Sequence, residues 1–226
     1  MPINLTRIHA ICFDVDGTLS DTDDAIQNRL VPLFKSFRYF LPKRDAQLAA
    51  RRLLMALETP GNFLICLPDR LGLDDTMYAA FDWFARHQRN RPGKFLLIPG
   101  VKEMLAELAG RFPLAVVSAR DERTTRSFLE QFDLLSYFQC IATAQTCRHT
   151  KPFPDPIIWA AEKMAVPVEN CLMVGDTTVD IRAGREAGAQ TVGVLCGFGE
   201  EHELRKRGAD MILQETAELA QVLASK

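Results

Sequence analysis

The feature that most constrains this chain is a series of short, unbroken apolar runs separated by helix-patterned stretches. The runs fall at 8–13, 114–117, 140–142, 171–174, 191–195 and 211–213. Apolar residues at consecutive positions, rather than at every second one, belong to strands buried on both faces, which is the condition of a parallel sheet covered by helices. Helical spacing occupies 101–109, 122–132, 156–164, 180–187 and 216–223. Strand and helix alternating in this way predict an α/β fold with a doubly wound, parallel-sheet (Rossmann-like) core.

One stretch breaks the alternation. Between Asp21 and Leu97 no strand pattern occurs, but the blocks 27–40, 45–57, 63–71 and 75–89 carry apolar residues three to four apart. Pro42, Thr59-Pro60-Gly61, Gly72 and Pro92-Gly93 punctuate them. This pattern predicts an inserted all-helical unit over 21–97, with residues 1–20 and 98–226 forming the core. The insertion holds 12 basic against 9 acidic residues, and the remainder 15 against 20. A mildly basic unit over an acidic core suits an anionic substrate and a bound cation, although solvated helix faces account for most of these charges equally well.

Composition narrows the class. The 226 residues suffice to bury a full core, and 47% hydrophobic with 25% charged residues is ordinary for a globular chain. A formal net charge of −2 gives no reason to invoke nucleic acid or an anionic membrane. No apolar run approaches the ~20 residues that span a bilayer, and the first residues lack a leader-peptide pattern. The six cysteines, at 12, 66, 140, 147, 171 and 196, form no Cys-x-x-Cys pair. Reduced, largely buried thiols in a cytoplasmic protein are therefore expected. The chain is compatible with a monomer or a homodimer.

The chemistry-bearing residues cluster at the strand ends. The first run leads into Asp14-Val15-Asp16-Gly17-Thr18. A carboxylate at the carboxyl end of a buried parallel strand points into the crevice where such folds bind ligands. Aspartates two apart there can share one side, and Gly17 permits a sharp turn. Taken alone, Asp-x-Asp-Gly also reads as an Asx turn with a helix cap, or as a fragment of a calcium loop. The latter lacks its closing glutamate and its alternating oxygen ligands.

Four segments together are more specific. Asp14-Val15-Asp16-Gly17-Thr18-Leu19-Ser20-Asp21-Thr22 resembles the first motif of the haloacid dehalogenase superfamily of phosphatases. Val116-Val117-Ser118-Ala119-Arg120 resembles the second, and Thr150-Lys151-Pro152-Phe153-Pro154-Asp155-Pro156 the third. Val174-Gly175-Asp176-Thr177-Thr178-Val179-Asp180, continuing to Ala187-Gly188, resembles the fourth. The insertion between the first two lies where one subclass of the family carries its cap. The resemblance implies that Asp14 attacks phosphorus, while Asp16 protonates the leaving oxygen and later activates water. It implies Mg2+ held by the Asp14 carboxylate, the Asp16 carbonyl and Asp176. It further implies phosphate binding by Gly17, Ser118, Ala119 and Lys151, with Thr18 and Asp180 supporting these groups from behind.

Asp16 also narrows the reaction. The family's dehalogenases lack this second aspartate, as does its phosphonate-cleaving branch, so phosphate-ester chemistry is expected. Thr59-Pro60-Gly61-Asn62-Phe63, Gly72, Phe95-Leu96-Leu97-Ile98-Pro99-Gly100-Val101 and the segment 193–199 resemble phosphoglycolate phosphatases. Ala119-Arg120 departs from the amide or lysine pair those enzymes often carry. The expected function is thus a magnesium-dependent phosphatase of a small phosphorylated metabolite, with Pro60, Gly61, Asn62 and Phe63 of the cap selecting the leaving group. Arg51, Arg52 or Arg70 would contact a substrate carboxylate or simply be solvated. The alternatives are a mutase resembling β-phosphoglucomutase, an inorganic pyrophosphatase and a non-catalytic phosphate-binding regulator. An acid–base residue at position 16 argues against the last.

Overall fold

The alternation of the sequence becomes one sheet with helices on both faces. The computed structural model describes residues 3–21 and 95–224. The proposed helical cap, with Pro60, Gly61, Asn62 and Phe63, falls almost wholly outside them. Six strands, β1 (Ala10–Phe13), β2 (Leu114–Val117), β3 (Cys140–Ala142), β4 (Cys171–Gly175), β5 (Gln190–Val194) and β6 (Met211–Leu213), pair in the order β3-β2-β1-β4-β5-β6. Every pairing is parallel. The order reverses at β1, and a crevice opens beyond the carboxyl ends of the strands at such a switch point.

Burial on both faces explains the unbroken apolar runs. Along β1 the side chains alternate between two cores, Ile11 and Phe13 in one, Ala10 and Cys12 in the other. β4 repeats this with Leu172 and Val174 against Cys171 and Met173. The first core takes the larger residues and is covered by α1 (Val101–Ala109), α2 (Glu122–Gln131) and α6 (Glu218–Ala224) through Met104, Leu105, Leu108, Phe128, Leu129, Leu219 and Leu223. The second is built from smaller side chains. There α3 (Asp155–Lys163) and α4 (Thr178–Ala187) approach closely through Ile157, Ala160, Ala161, Ala183 and Ala187. No described helix is long and apolar enough to cross a membrane. The five described cysteines are free thiols, as their spacing led us to expect.

Local chemistry sets the helix starts. The Asp121 side chain accepts from Thr124 N–H at 3.0 Å and opens α2, satisfying one otherwise orphaned amide. Asp180 accepts from the Thr177 N–H at 3.0 Å and so closes the first turn of α4. A further helix, α5 (Glu201–Arg207), has no counterpart in the sequence reading. Its residues are polar or charged except Leu204, its one buried side chain, so it presents no apolar stripe for a periodicity argument to find. Where the chain leaves the core, Asp21 N–H donates to the Leu96 carbonyl at 2.9 Å and Ile98 N–H to the Leu19 carbonyl at 3.0 Å. The outgoing and returning segments are thereby tied side by side at the rim of the crevice.

Candidate active site

The ends of β1, β2 and β4 and the turn before α3 converge on one cleft of about 190 Å³. It is lined by Asp14, Asp16, Ala119, Arg120, Lys151, Thr177 and Asp180. This is smaller than the clefts of ~300 Å³ and above that take drug-sized ligands, and it suits a compact group.

Asp14 directly follows β1, its N–H held by the Val174 carbonyl at 2.9 Å, which aims the residue past the sheet edge. Its carboxylate meets the Lys151 ammonium, with Nζ 2.6 Å from Oδ1. The same Nζ is 2.6 Å from Asp180 Oδ1, and all three side chains are buried. Burial pushes the Asp14 carboxyl up to about 7, an effect that Lys151 opposes and that Asp180 and Asp16 reinforce. For Lys151 burial pulls downward, yet Asp14 and Asp180 together overcome it and hold the ammonium above the ordinary lysine value. Lys151 is therefore a fixed cation bridging two carboxylates.

Asp176, at the turn after β4, is fully buried. Its Oδ2 accepts from the Phe198 N–H at 2.7 Å and its Oδ1 from the Thr18 hydroxyl at 3.4 Å. Two glycines make room for it. Gly17 has φ +68, and a Cβ there or at Gly197 would drive into the Asp176 carboxylate. The Thr18 carbonyl in turn accepts from the Thr216 hydroxyl at 2.7 Å. This pins the first-motif loop to the far end of the chain.

Asp14, Asp176 and Asp180 each offer a carboxylate oxygen, and these atoms lie within 4.8 Å of one another. Three buried carboxylates face one ammonium, so the group carries an excess of negative charge that a divalent cation would balance. An all-oxygen donor set suits a hard ion such as Mg2+. The sequence placed Asp180 behind the ligands and put the Asp16 carbonyl among them. In the structure Asp180 belongs to the carboxylate cluster, but it also accepts from Lys151 and, through Oδ2, from the Thr177 hydroxyl at 2.7 Å and the Thr177 N–H.

The Asp16 side chain is engaged elsewhere. Arg120 Nε donates to Asp16 Oδ2 at 2.6 Å, and Arg120 Nη2 donates to Asp16 Oδ1. Ser118 is buried at the end of β2, and its Oγ accepts the Arg120 N–H at 3.1 Å, a bond that does not use the hydroxyl's own proton. Ala119 lines the cleft beside it. Of the core residues singled out in the sequence, Asp14, Asp16, Ala119, Lys151 and Asp180 line this cleft, whereas Gly17, Thr18, Ser118 and Asp176 are not among its lining residues, and Gly17 and Thr18 lie against Asp176. Sequence reasoning missed the Arg120–Asp16 pair and the anchoring of Asp176 by the Phe198 amide. Arg120 was visible only as a departure from a pattern, and the 193–199 segment only as a glycine-containing tail.

Comparison with known proteins agrees with this geometry. The family model described as haloacid dehalogenase-like hydrolase matches residues 11–194. Pyrophosphatase PpaX of Anoxybacillus flavithermus is 29% identical over 220 residues, covering 96% of this chain and 97% of that protein. A phosphoglycolate phosphatase of Vibrio parahaemolyticus is 29% identical over 230 residues, covering 96% of each. Among solved structures, a haloacid dehalogenase-like family hydrolase from Streptococcus pneumoniae superposes with a TM-score of 0.69 at 25% identity, covering 96% of this chain and 99% of that one.

Proposed function

The chain belongs to the haloacid dehalogenase-like hydrolases and is a phosphatase, and on that premise we propose that it hydrolyses a small phosphomonoester through a phosphorylated Asp14, with Mg2+ as cofactor. The observation that carries the proposal is the Asp14 carboxylate. It is buried at a strand end, 2.6 Å from Lys151, with the oxygens of Asp176 and Asp180 within 4.8 Å.

Phosphoryl transfer asks for an in-line nucleophile, neutralisation of the equatorial oxygens and a proton for the leaving group. Asp14 supplies the first, forming an O–P bond as the bond to the leaving oxygen breaks. Lys151 orients the carboxylate and offsets charge as the phosphoryl group arrives. The Ser118 hydroxyl and the Ala119 and Gly17 backbone would donate to the phosphoryl oxygens. Asp16 would give its proton to the leaving oxygen, then take one from the water that attacks phosphorus and releases Asp14. Asp14, Asp176 and the Asp16 carbonyl would hold Mg2+, with Asp180 close enough to join or to steer them. The ion supplies the charge neutralisation that lets a carboxylate approach an anionic phosphate.

The substrate is expected to be a small phosphorylated metabolite of the kind named for the relatives, phosphoglycolate or pyrophosphate among them. The test is Mg2+-dependent phosphate release from a panel of these compounds and of hexose phosphates. Wild-type turnover that is lost on chelation and in Asp14→Asn supports the reading. Undiminished turnover in Asp14→Asn defeats it. Conversion of β-glucose 1-phosphate to the 6-phosphate without free phosphate would instead identify a mutase.

A further inference from the structure

Arg120 has no task in the reaction just described, yet it lines the cleft and is paired with Asp16, the residue assigned to the leaving oxygen. Its Nε and Nη2 donate to the two oxygens of Asp16, a fork on a carboxylate. The guanidinium lies 5.3 Å from the Phe95 ring centroid, and Phe95 is held by Gln131 Nε2 donating to its carbonyl at 3.0 Å. The aromatic face and the backbone bond to Ser118 preset the plane of the fork. Arg120 and Asp16 side chains are 16% and 24% exposed, and both line the cleft that Asp14 and Lys151 share.

Two consequences follow from this geometry. Lys151 is committed to Asp14 and Asp180 at 2.6 Å each, and Arg120 is the other cation among the described lining residues. Both Asp16 oxygens accept from the fork, which turns the carboxylate toward Arg120, and handing Asp16 to a leaving group is easier when another anion takes the fork. A guanidinium fork matches carboxylate and phosphate geometry, which a lysine in its place would not.

We propose that Arg120 is a specificity residue that selects substrates whose leaving group carries a second anionic group, a carboxylate or a phosphate. That group takes the place of the Asp16 carboxylate in the fork, and Asp16, carrying a proton supplied by solvent or by the incoming phosphate, is handed to the leaving oxygen. Asp16 occupies the fork as the substrate's own anion would. A leaving group without a charge has nothing to exchange with Asp16 and leaves the pair closed. The inference rests on the phosphatase reading above and names the substrate class of that same site.

The test compares wild type, Arg120→Gln and Arg120→Lys in steady-state kinetics on phosphoglycolate, pyrophosphate, 2-hydroxyethyl phosphate and phenyl phosphate, with circular dichroism to check folding. The first two leaving groups carry a second charge and the last two do not. Wild type is expected to favour the charged pair by about 10- to 100-fold in kcat/KM, the range of a charge-assisted hydrogen bond. In Arg120→Gln that ratio collapses to within about threefold, mainly through KM on the charged substrates. Arg120→Lys, which keeps the charge but not the fork, falls between and decides the matter if the glutamine variant does not fold. No preference in wild type, or an equal loss on all four substrates with the ratio intact, overturns the inference while leaving the phosphatase reading standing. Absence of wild-type turnover on every phosphate ester tested would instead remove the phosphatase reading itself.

Discussion

Replacing Lys151 by methionine is the sharpest probe of the site's electrostatics. Lys151 is 2% exposed, and its ammonium is 2.6 Å from both Asp14 and Asp180, themselves 6% and 0% exposed. Methionine keeps much of the apolar stem and its packing but leaves two buried carboxylates with no cation between them. Removing one partner of a buried ion pair costs about 3–5 kcal/mol, because the charge left behind is desolvated and unpaired. For a chain of this length each 1 kcal/mol moves the melting temperature by about 2–4 °C, so a drop of roughly 6–20 °C is expected in chelator at pH 8. At pH 5 the drop is smaller. Asp14 already titrates near 7, and a carboxyl that can take up a proton no longer needs the ammonium. Adding Asp14→Asn to the Lys151→Met protein should recover a large part of the loss at pH 8, the coupling expected of groups in contact. Urea and thermal unfolding at both pH values measure all three quantities. A loss below about 1 kcal/mol at pH 8, or an equal loss at both pH values, would refute the account of Lys151 as the cation that makes the buried carboxylates tolerable.

Further outcomes test neighbouring features. In metal-free protein the Asp14 carboxyl, raised from 3.8 to about 7 by burial, keeps its proton where the unfolded chain has lost it. Stability should therefore fall as pH rises from about 4 to 7 and level off above, and the slope should shrink in Asp14→Asn, as read by melting temperature across that window. Mg2+ should raise the melting temperature of the chelator-treated protein in a concentration-dependent way, and Asp176→Asn should abolish most of that rise. Gly197→Ala puts a methyl against the Asp176 carboxylate, so the Mg2+ concentration for half-activation should increase about 10- to 100-fold, with a smaller effect on turnover at saturating metal. The Cys140 and Cys171 thiols, each pushed up to about 11 chiefly by burial, stay neutral at pH 8. Peptide mapping should show them alkylating slowly in native protein and faster as pH approaches 11.

The fold was largely legible because burial on both faces of a strand is written into consecutive residues. The bounds of β2, β3 and β6 coincide with the predicted runs, β4 extends one residue further, and β5 lies one residue earlier at both ends. β1 begins later than predicted, at Ala10, because Ile8 closes a short helical turn through its N–H to the Leu5 carbonyl. α5 was illegible because one buried leucine among polar and charged residues makes no periodic signal. The identities of Asp14, Asp16, Ser118, Lys151, Asp176 and Asp180 were readable from their places at strand ends and in motifs. Their pairing was not.

The sequence by itself therefore determined the parallel α/β core and which side chains gather at the carboxyl ends of its strands, because strand burial and turn chemistry are local properties. Only the tertiary structure decided which carboxylate each cation serves. Arg120 is 104 residues from Asp16, Thr18 is 158 from Asp176, and Lys151 is 29 from Asp180. The strand order that puts β1 between β2 and β4 brings these residues together, and separation along the chain says nothing of distance across a sheet. Asp180 accepts from Lys151 and stands within the carboxylate cluster, and Asp16 is held in a guanidinium fork. Both facts are electrostatic consequences of that folding, since buried charges in low dielectric take the nearest partner of opposite sign.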